Sequence, residues 1–128
     1  MSLIRFTQSS QIVMEEVGDI VVLELIGNFD VPSEVNLSEL VDSKLLEGRR
    51  KFLFKCVRWK YTSDGFGGTL LRNVFAIQKC GGCWRFCGVK PRIRHFFEMA
   101  RHSTLFNMVE SCEEALNELR QEPSSSPN

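Results

Sequence analysis

The chain carries no net charge, since sixteen Lys and Arg balance sixteen Asp and Glu across 128 residues. No overall field therefore draws it onto nucleic acid or anionic lipid. Two basic groupings, Arg49, Arg50 and Lys51 and then Lys90, Arg92 and Arg94, are read as solvated surface, because nucleic-acid modules carry more basic charge in total. No run approaches the roughly 20 apolar residues that cross a bilayer. The N-terminus lacks a basic region, an apolar run and a small-residue cleavage site in that order, so a cytoplasmic protein with no membrane contact is expected. There is no internal repeat. Five cysteines are an odd number without a secretory context, which points to reduced thiols rather than a disulfide framework.

Apolar residues at 43% and charged residues at 25% match an ordinary soluble globular chain, and the length suits one core. Residues 11–16 and 20–26 are β-rich runs around Val17, Gly18 and Asp19, the spacing of a hairpin. The nearly continuous apolar run 20–26 predicts a strand buried on both faces. Apolar positions at helical spacing predict helices over 33–47 and 64–79, the first ended by Gly48 and the second by Gly81 and Gly82. Strands are predicted over 51–57, 83–87 and 105–109 and a helix over 90–100. Ser111 caps a C-terminal helix, with Glu114 three residues on. Strands alternating with helices after a hairpin imply an α/β fold with a mixed, mostly parallel sheet of about four or five strands and flanking helices. The domain spans 11–121, after an N-terminal extension over 1–10. It precedes a disordered tail over 122–128, too polar to pack.

In such sheets crevices form beyond the carboxyl ends of parallel strands. Two loops fall there: Gly27-Asn28-Phe29-Asp30, and Tyr61-Thr62-Ser63-Asp64-Gly65-Phe66-Gly67-Gly68. In the second, two hydroxyls lie at a helix N-terminus, where free N–H groups and the dipole favour an anion. A phosphate on Ser63 suits that place; so does a plain capping role for Thr62 or Ser63. The glycines do not form a Walker loop, which needs Gly-Lys-Ser/Thr. Asp30 also reads as a turn residue before Pro32.

These residues carry a resemblance. Gly27 to Asp30 (Gly-x-x-Asp), the strand-to-helix loop Thr62-Ser63-Asp64-Gly65-Phe66-Gly67, the Gly81-Gly82 turn and the late Leu105-Phe106 and Ala115-Leu116 pattern resemble, in order and spacing, the STAS domain. Anti-sigma-factor antagonists and the cytoplasmic tails of sulphate transporters share that domain. The resemblance runs from about Val13 to Leu119. It implies a STAS-like fold and places the phosphoacceptor at Ser63. It further implies a partner surface built from Asp30, Thr62, Ser63, Asp64, Gly65 and Phe66. Two positions depart from the family's Asp-Ser-Ser/Ala-Gly-Leu-Gly pattern: Thr62 stands for the usual Asp, and Asp64 for a small residue. A phosphate on Ser63 would meet Asp64 as a like charge, partly offset by the helix terminus.

Cys80, Cys83 and Cys87 invite a metal reading. Cys83 and Cys87, however, lie on one face of a predicted strand, about 13 Å apart when extended, too far to share an ion. No second cysteine pair follows, so core or surface thiols and no metal are expected. His95 and His102 belong to no motif that ties them to a nucleophile, so no catalytic residue and no cofactor is assigned. Trp59 and Tyr61 are expected on a binding face, and Trp84 in or beside a strand.

The resemblance thus implies a non-enzymatic switch that binds a serine-kinase anti-sigma factor when Ser63 is unmodified and releases it when Ser63 is phosphorylated. Two alternatives stay open. One is a scaffold module without a phosphorylation cycle, in a stress-signalling assembly of other STAS-containing proteins. The other is a sensor for a nucleotide, lipid or small anion.

Overall fold

The computed structural model describes residues 3–6, 10–29, 31–62, 64–99 and 103–123. In chain order these form β1 (Leu3–Phe6), β2 (Ser10–Val17), β3 (Ile20–Phe29), α1 (Val31–Leu46), β4 (Lys51–Lys55), β5 (Trp59–Thr62), α2 (Asp64–Lys79), β6 (Cys83–Cys87) and α3 (Pro91–Met99). A short 3-10 helix (Ser103–Phe106), β7 (Met108–Val109) and α4 (Cys112–Gln121) complete the fold.

The expected hairpin is present, with Val17 paired to Ile20 across a two-residue turn. The sheet runs β1-β2-β3-β4-β6-β7, with β5 also paired to β3. The β1–β2 and β2–β3 pairs are antiparallel and the rest parallel. The α/β class and mixed sheet agree with expectation; the strand number does not, because the described residues form a sheet of seven. One extra strand is β1, taken from the segment read as an extension. The other is β5, hidden inside a segment read as loop.

That second difference has a local cause. The strand expected over 51–57 stops at Lys55, and the chain turns over Cys56, Val57 and Arg58, where the Trp59 N–H donates to the Cys56 carbonyl at 3.1 Å. It then resumes as β5 beside the far end of β3. Thus β4 flanks Ile20–Glu24 of β3 and β5 flanks Gly27–Phe29. The strand expected over 105–109 shortens likewise, because Leu105 and Phe106 belong to the 3-10 turn.

Two apolar clusters lie on opposite faces of the sheet. In β3, Val21, Leu23 and Leu25 face the larger one, with Phe52, Phe54, Trp84 and Phe86 from β4 and β6 and the inner sides of α1, α2 and α3. Ile20 and Val22 face the smaller one, with Leu53, Cys87, Ala115 and Leu119. Strand β3 is therefore buried on both faces, as its sequence predicted. Each such side chain contributes roughly 1.5–3 kcal/mol relative to exposure, so the larger cluster dominates stability. Aromatic stacking reinforces it: Phe54 on Phe86 at 4.5 Å and Phe97 on Phe106 at 4.4 Å between centroids. Trp84 is buried, and its indole N–H donates to the Leu105 carbonyl at 2.6 Å.

The helix ends also follow the sequence. The Ser111 hydroxyl accepts from the Glu114 N–H at 3.1 Å and caps α4. After α2, Gly82 lies so close to β4's approach that a Cβ there would sit 2.5 Å from the Arg50 carbonyl. Only a residue without one fits.

Three expectations about side chains are corrected. Trp59 is fully buried rather than on a binding face, because β5 turns it into the larger cluster. Lys51 is not solvated: it is buried and pairs with Asp19 at 3.1 Å, while Arg49 pairs with Glu16 at 2.8 Å and Arg50 donates to the Leu45 carbonyl. The thiols are not all reduced, since Cys87 and Cys112 form a disulfide, with Cα atoms 4.9 Å apart. Cys56, Cys80 and Cys83 are free. The tail from residue 124 and His102 lie outside the described residues.

Candidate functional site

The carboxyl ends of β3 and β5 lie side by side. Their parallel ladder pairs Gly27 with Trp59, Asn28 with Tyr61 and Phe29 with Thr62, with an irregularity between Gly27 and Asn28. At that irregularity Gly27 adopts a φ of 94°, and its N–H donates to the Arg58 carbonyl at 2.9 Å. A side chain would strain this backbone, which gives the first residue of the Gly-x-x-Asp sequence a structural reason. Arg58 in turn reaches both carboxylate oxygens of Glu24 at 3.1 Å. This bidentate pair raises the Arg58 pKa, through the hydrogen bond first and the Glu24 charge second.

Beneath the two strand ends lies an aromatic floor. Phe29 and Trp59, both fully buried, meet edge to face at 6.2 Å, and Trp59 tilts against Phe97 at 5.7 Å. Such packing fixes the strand ends from below, leaving the loops above them on a rigid base. Helices α1 and α2 start within two residues of the paired ends, at Val31 and Asp64. Asn73 ties the helices together, its amide donating to Ser38 Oγ at 3.2 Å and to the Thr69 carbonyl at 2.9 Å. Arg72 pairs with Asp42 at 3.6 Å.

Of the residues singled out in the sequence, Thr62 closes β5, Asp64 opens α2, and Gly65 and Phe66 follow in its first turn. Asp30 and Ser63 lie outside the described residues. Sequence reasoning passed over Phe75. It is 44% exposed on α2, in a stripe with Arg72 and Gly68 that leads back to the helix start. Its signal was available: the buried face follows Leu70, Val74 and Ile77, and Phe75 falls outside that spacing.

Among the described residues no three His, Cys, Asp or Glu are placed to hold a metal ion, and His95 is exposed. Among the same residues, no helix is long and apolar enough to cross a membrane. A groove of about 490 Å³ lies between β7 and α4, lined in part by Arg85, Glu110, Glu114 and Glu118. Arg85 is already paired with Glu118 at 2.7 Å and Glu122 at 3.2 Å.

The model of the STAS domain family matches residues 11–115, and the chain belongs to that family. No curated protein matches the chain. Among solved structures, an anti-sigma factor antagonist from Mycobacterium paratuberculosis is similar with a TM-score of 0.78 at 13% identity, over 88% of this chain and 96% of that one. The Bacillus cell fate determinant SpoIIAA in its phosphorylated form gives 0.71 at 18% identity, over 85% and 99%. A serine-to-glutamate variant of Moorella thermoacetica RsbS gives 0.72 at 14% identity, over 89% and 96%. The fold is accordingly STAS-like, of the SpoIIAA type.

Proposed function

We propose that the chain is an anti-sigma-factor antagonist-like regulatory protein, cytoplasmic and without catalysis. It binds a serine-kinase anti-sigma factor through Asp30, Thr62, Ser63, Asp64, Gly65 and Phe66, and phosphorylation at Ser63 releases the partner. The observation that carries this reading is the β3–β5 ladder. Phe29 and Thr62 are register partners, and Asp30 and Ser63 are the residues that follow them in the sequence. Paired strands lie about 4.8 Å apart, so the residues that lead directly into the two candidates are neighbours across the ladder. The family membership and the SpoIIAA and RsbS likenesses support the same reading, one relative having been solved phosphorylated and one with glutamate in place of a serine.

Asp64 at the first position of α2 favours a second reading, because it brings a negative charge of its own to the helix start where a phosphate on Ser63 would be added. In that reading the chain is a scaffold module without a phosphorylation cycle. Affinity capture of the tagged chain from its source cell, with intact mass measurement of the recovered protein, tests the proposal. A co-captured serine kinase and an 80 Da increment on Ser63 are expected, 80 Da being about the mass of one added phosphoryl group. Other STAS proteins captured with an unmodified chain would establish the scaffold instead.

A further inference from the structure

We propose that Cys87 and Cys112 form a reversible oxidation site that latches α4 onto the sheet, with a low-molecular-weight disulfide such as glutathione disulfide as oxidant. Among the described residues α4 is the only helix on the smaller apolar cluster, where Ala115 and Leu119 cover Ile20, Val22 and Leu53. The bridge joins the first residue of that helix to the last residue of β6. It sits where the short helix α4 meets the sheet.

The chain does not need this bridge as a framework. Its larger cluster is a full core on the other face, and disulfide-dependent folds are those that lack one. With the bridge open α4 keeps other ties to the sheet: the packing of Ala115 and Leu119 and the Arg85 pairs to Glu118 and Glu122. Both states are therefore folded, and they differ in how firmly α4 is held.

Accessibility separates the roles of the two thiols. Cys112 is half-buried and Cys87 fully buried, so Cys112 meets the oxidant first. Its thiolate attacks one sulfur of the oxidant, breaking that S–S bond, and the departing thiolate takes up the Cys112 proton. The Cys87 sulfur then attacks Cys112 in the mixed disulfide, and the second departing thiolate takes up the Cys87 proton. Two electrons leave the protein thiols and reduce the oxidant to two thiols. The other buried thiols do not compete. Burial raises the Cys56 pKa, and burial followed by the Glu122 charge raises that of half-buried Cys83, which keeps both as poor nucleophiles.

The test equilibrates the full chain in buffers of graded glutathione to glutathione disulfide ratio, followed by acid quench, alkylation, peptide mapping and amide hydrogen exchange. As the disulfide fraction rises, Cys87 and Cys112 should together escape alkylation and appear as one linked peptide, reversibly. Exchange in 112–121 should be about tenfold slower in the oxidised protein, with α1 and α2 unchanged, and Cys112→Ser should remove the difference. The proposal is overturned if Cys112 alkylates at every ratio, if the linked peptide contains Cys80 or Cys83 instead, or if exchange in α4 is equal in both states.

Discussion

Phe29 and Thr62 are register partners at the carboxyl ends of β3 and β5, and Trp59 locks that junction from beneath by packing edge to face on Phe29. This places a requirement on the core rather than on the surface. Trp59→Ala should destabilise the fold by about 3–5 kcal/mol, the usual loss for a fully buried large aromatic. Urea denaturation followed by circular dichroism measures it. A loss below about 1 kcal/mol would mean that Trp59 does not anchor β5.

Gly82 offers a second test of the fold. A Cβ at this position would sit 2.5 Å from the Arg50 carbonyl and 2.8 Å from Ile77 Cγ2. The carbonyl belongs to backbone and cannot step aside as a flexible side chain would. Gly82→Ala should therefore cost about 1–3 kcal/mol, read from the shift of the denaturation midpoint. Gly68→Ala, with open space around the added carbon, should be neutral or stabilising by up to about 1 kcal/mol.

How much of this was legible beforehand depended on the range of each signal. Helix α2 was readable because Leu70, Val74 and Ile77 repeat at 3.6 spacing and two glycines follow, all within one segment. The hairpin and the two-faced burial of β3 were readable for the same reason. Strand β5 was not: four residues after a turn without Gly or Pro present no periodicity, and with the strand missed Trp59 was assigned to the wrong side. The Cys87–Cys112 bridge was out of reach as well, since the cysteines are 25 residues apart. Only the return of α4 across β6 brings them together. The candidate site was located by a general rule about strand ends, while the roles of Ser63 and Asp30 came from the family resemblance and not from the spacing of residues.

Phe75 supplies a prediction about the partner surface. A phenylalanine 44% exposed on a helix contributes little to the core, yet aromatic side chains are the usual anchors of interfaces. Phe75→Ser should change stability by less than about 1 kcal/mol. If the partner reaches along α2, the same variant should bind the captured partner about tenfold more weakly, a loss of about 1.4 kcal/mol. Isothermal titration measures the second quantity and thermal denaturation the first. Unchanged affinity would confine the partner surface to the loops at the strand ends.

The charge state of Ser63 separates the switch from the scaffold. Asp64 opens α2 one residue later, so Ser63→Glu places two carboxylates at one helix start. One is stabilised by the helix dipole; the pair together must be stripped of water when a partner docks. Ser63→Ala removes a hydroxyl and adds no charge. Under the switch reading Ser63→Glu should weaken binding of the captured partner by tenfold or more, about 1.4 kcal/mol, while Ser63→Ala stays within about threefold of the native chain. Raising the salt concentration should narrow the gap if the charges sit at the interface rim, because the Debye length is about 8 Å at 0.15 M and about 3 Å at 1 M. The gap should persist if they are buried at its centre. Equal affinity of the two variants at every salt concentration would reject control through Ser63 and leave a binding module whose surface does not respond to charge.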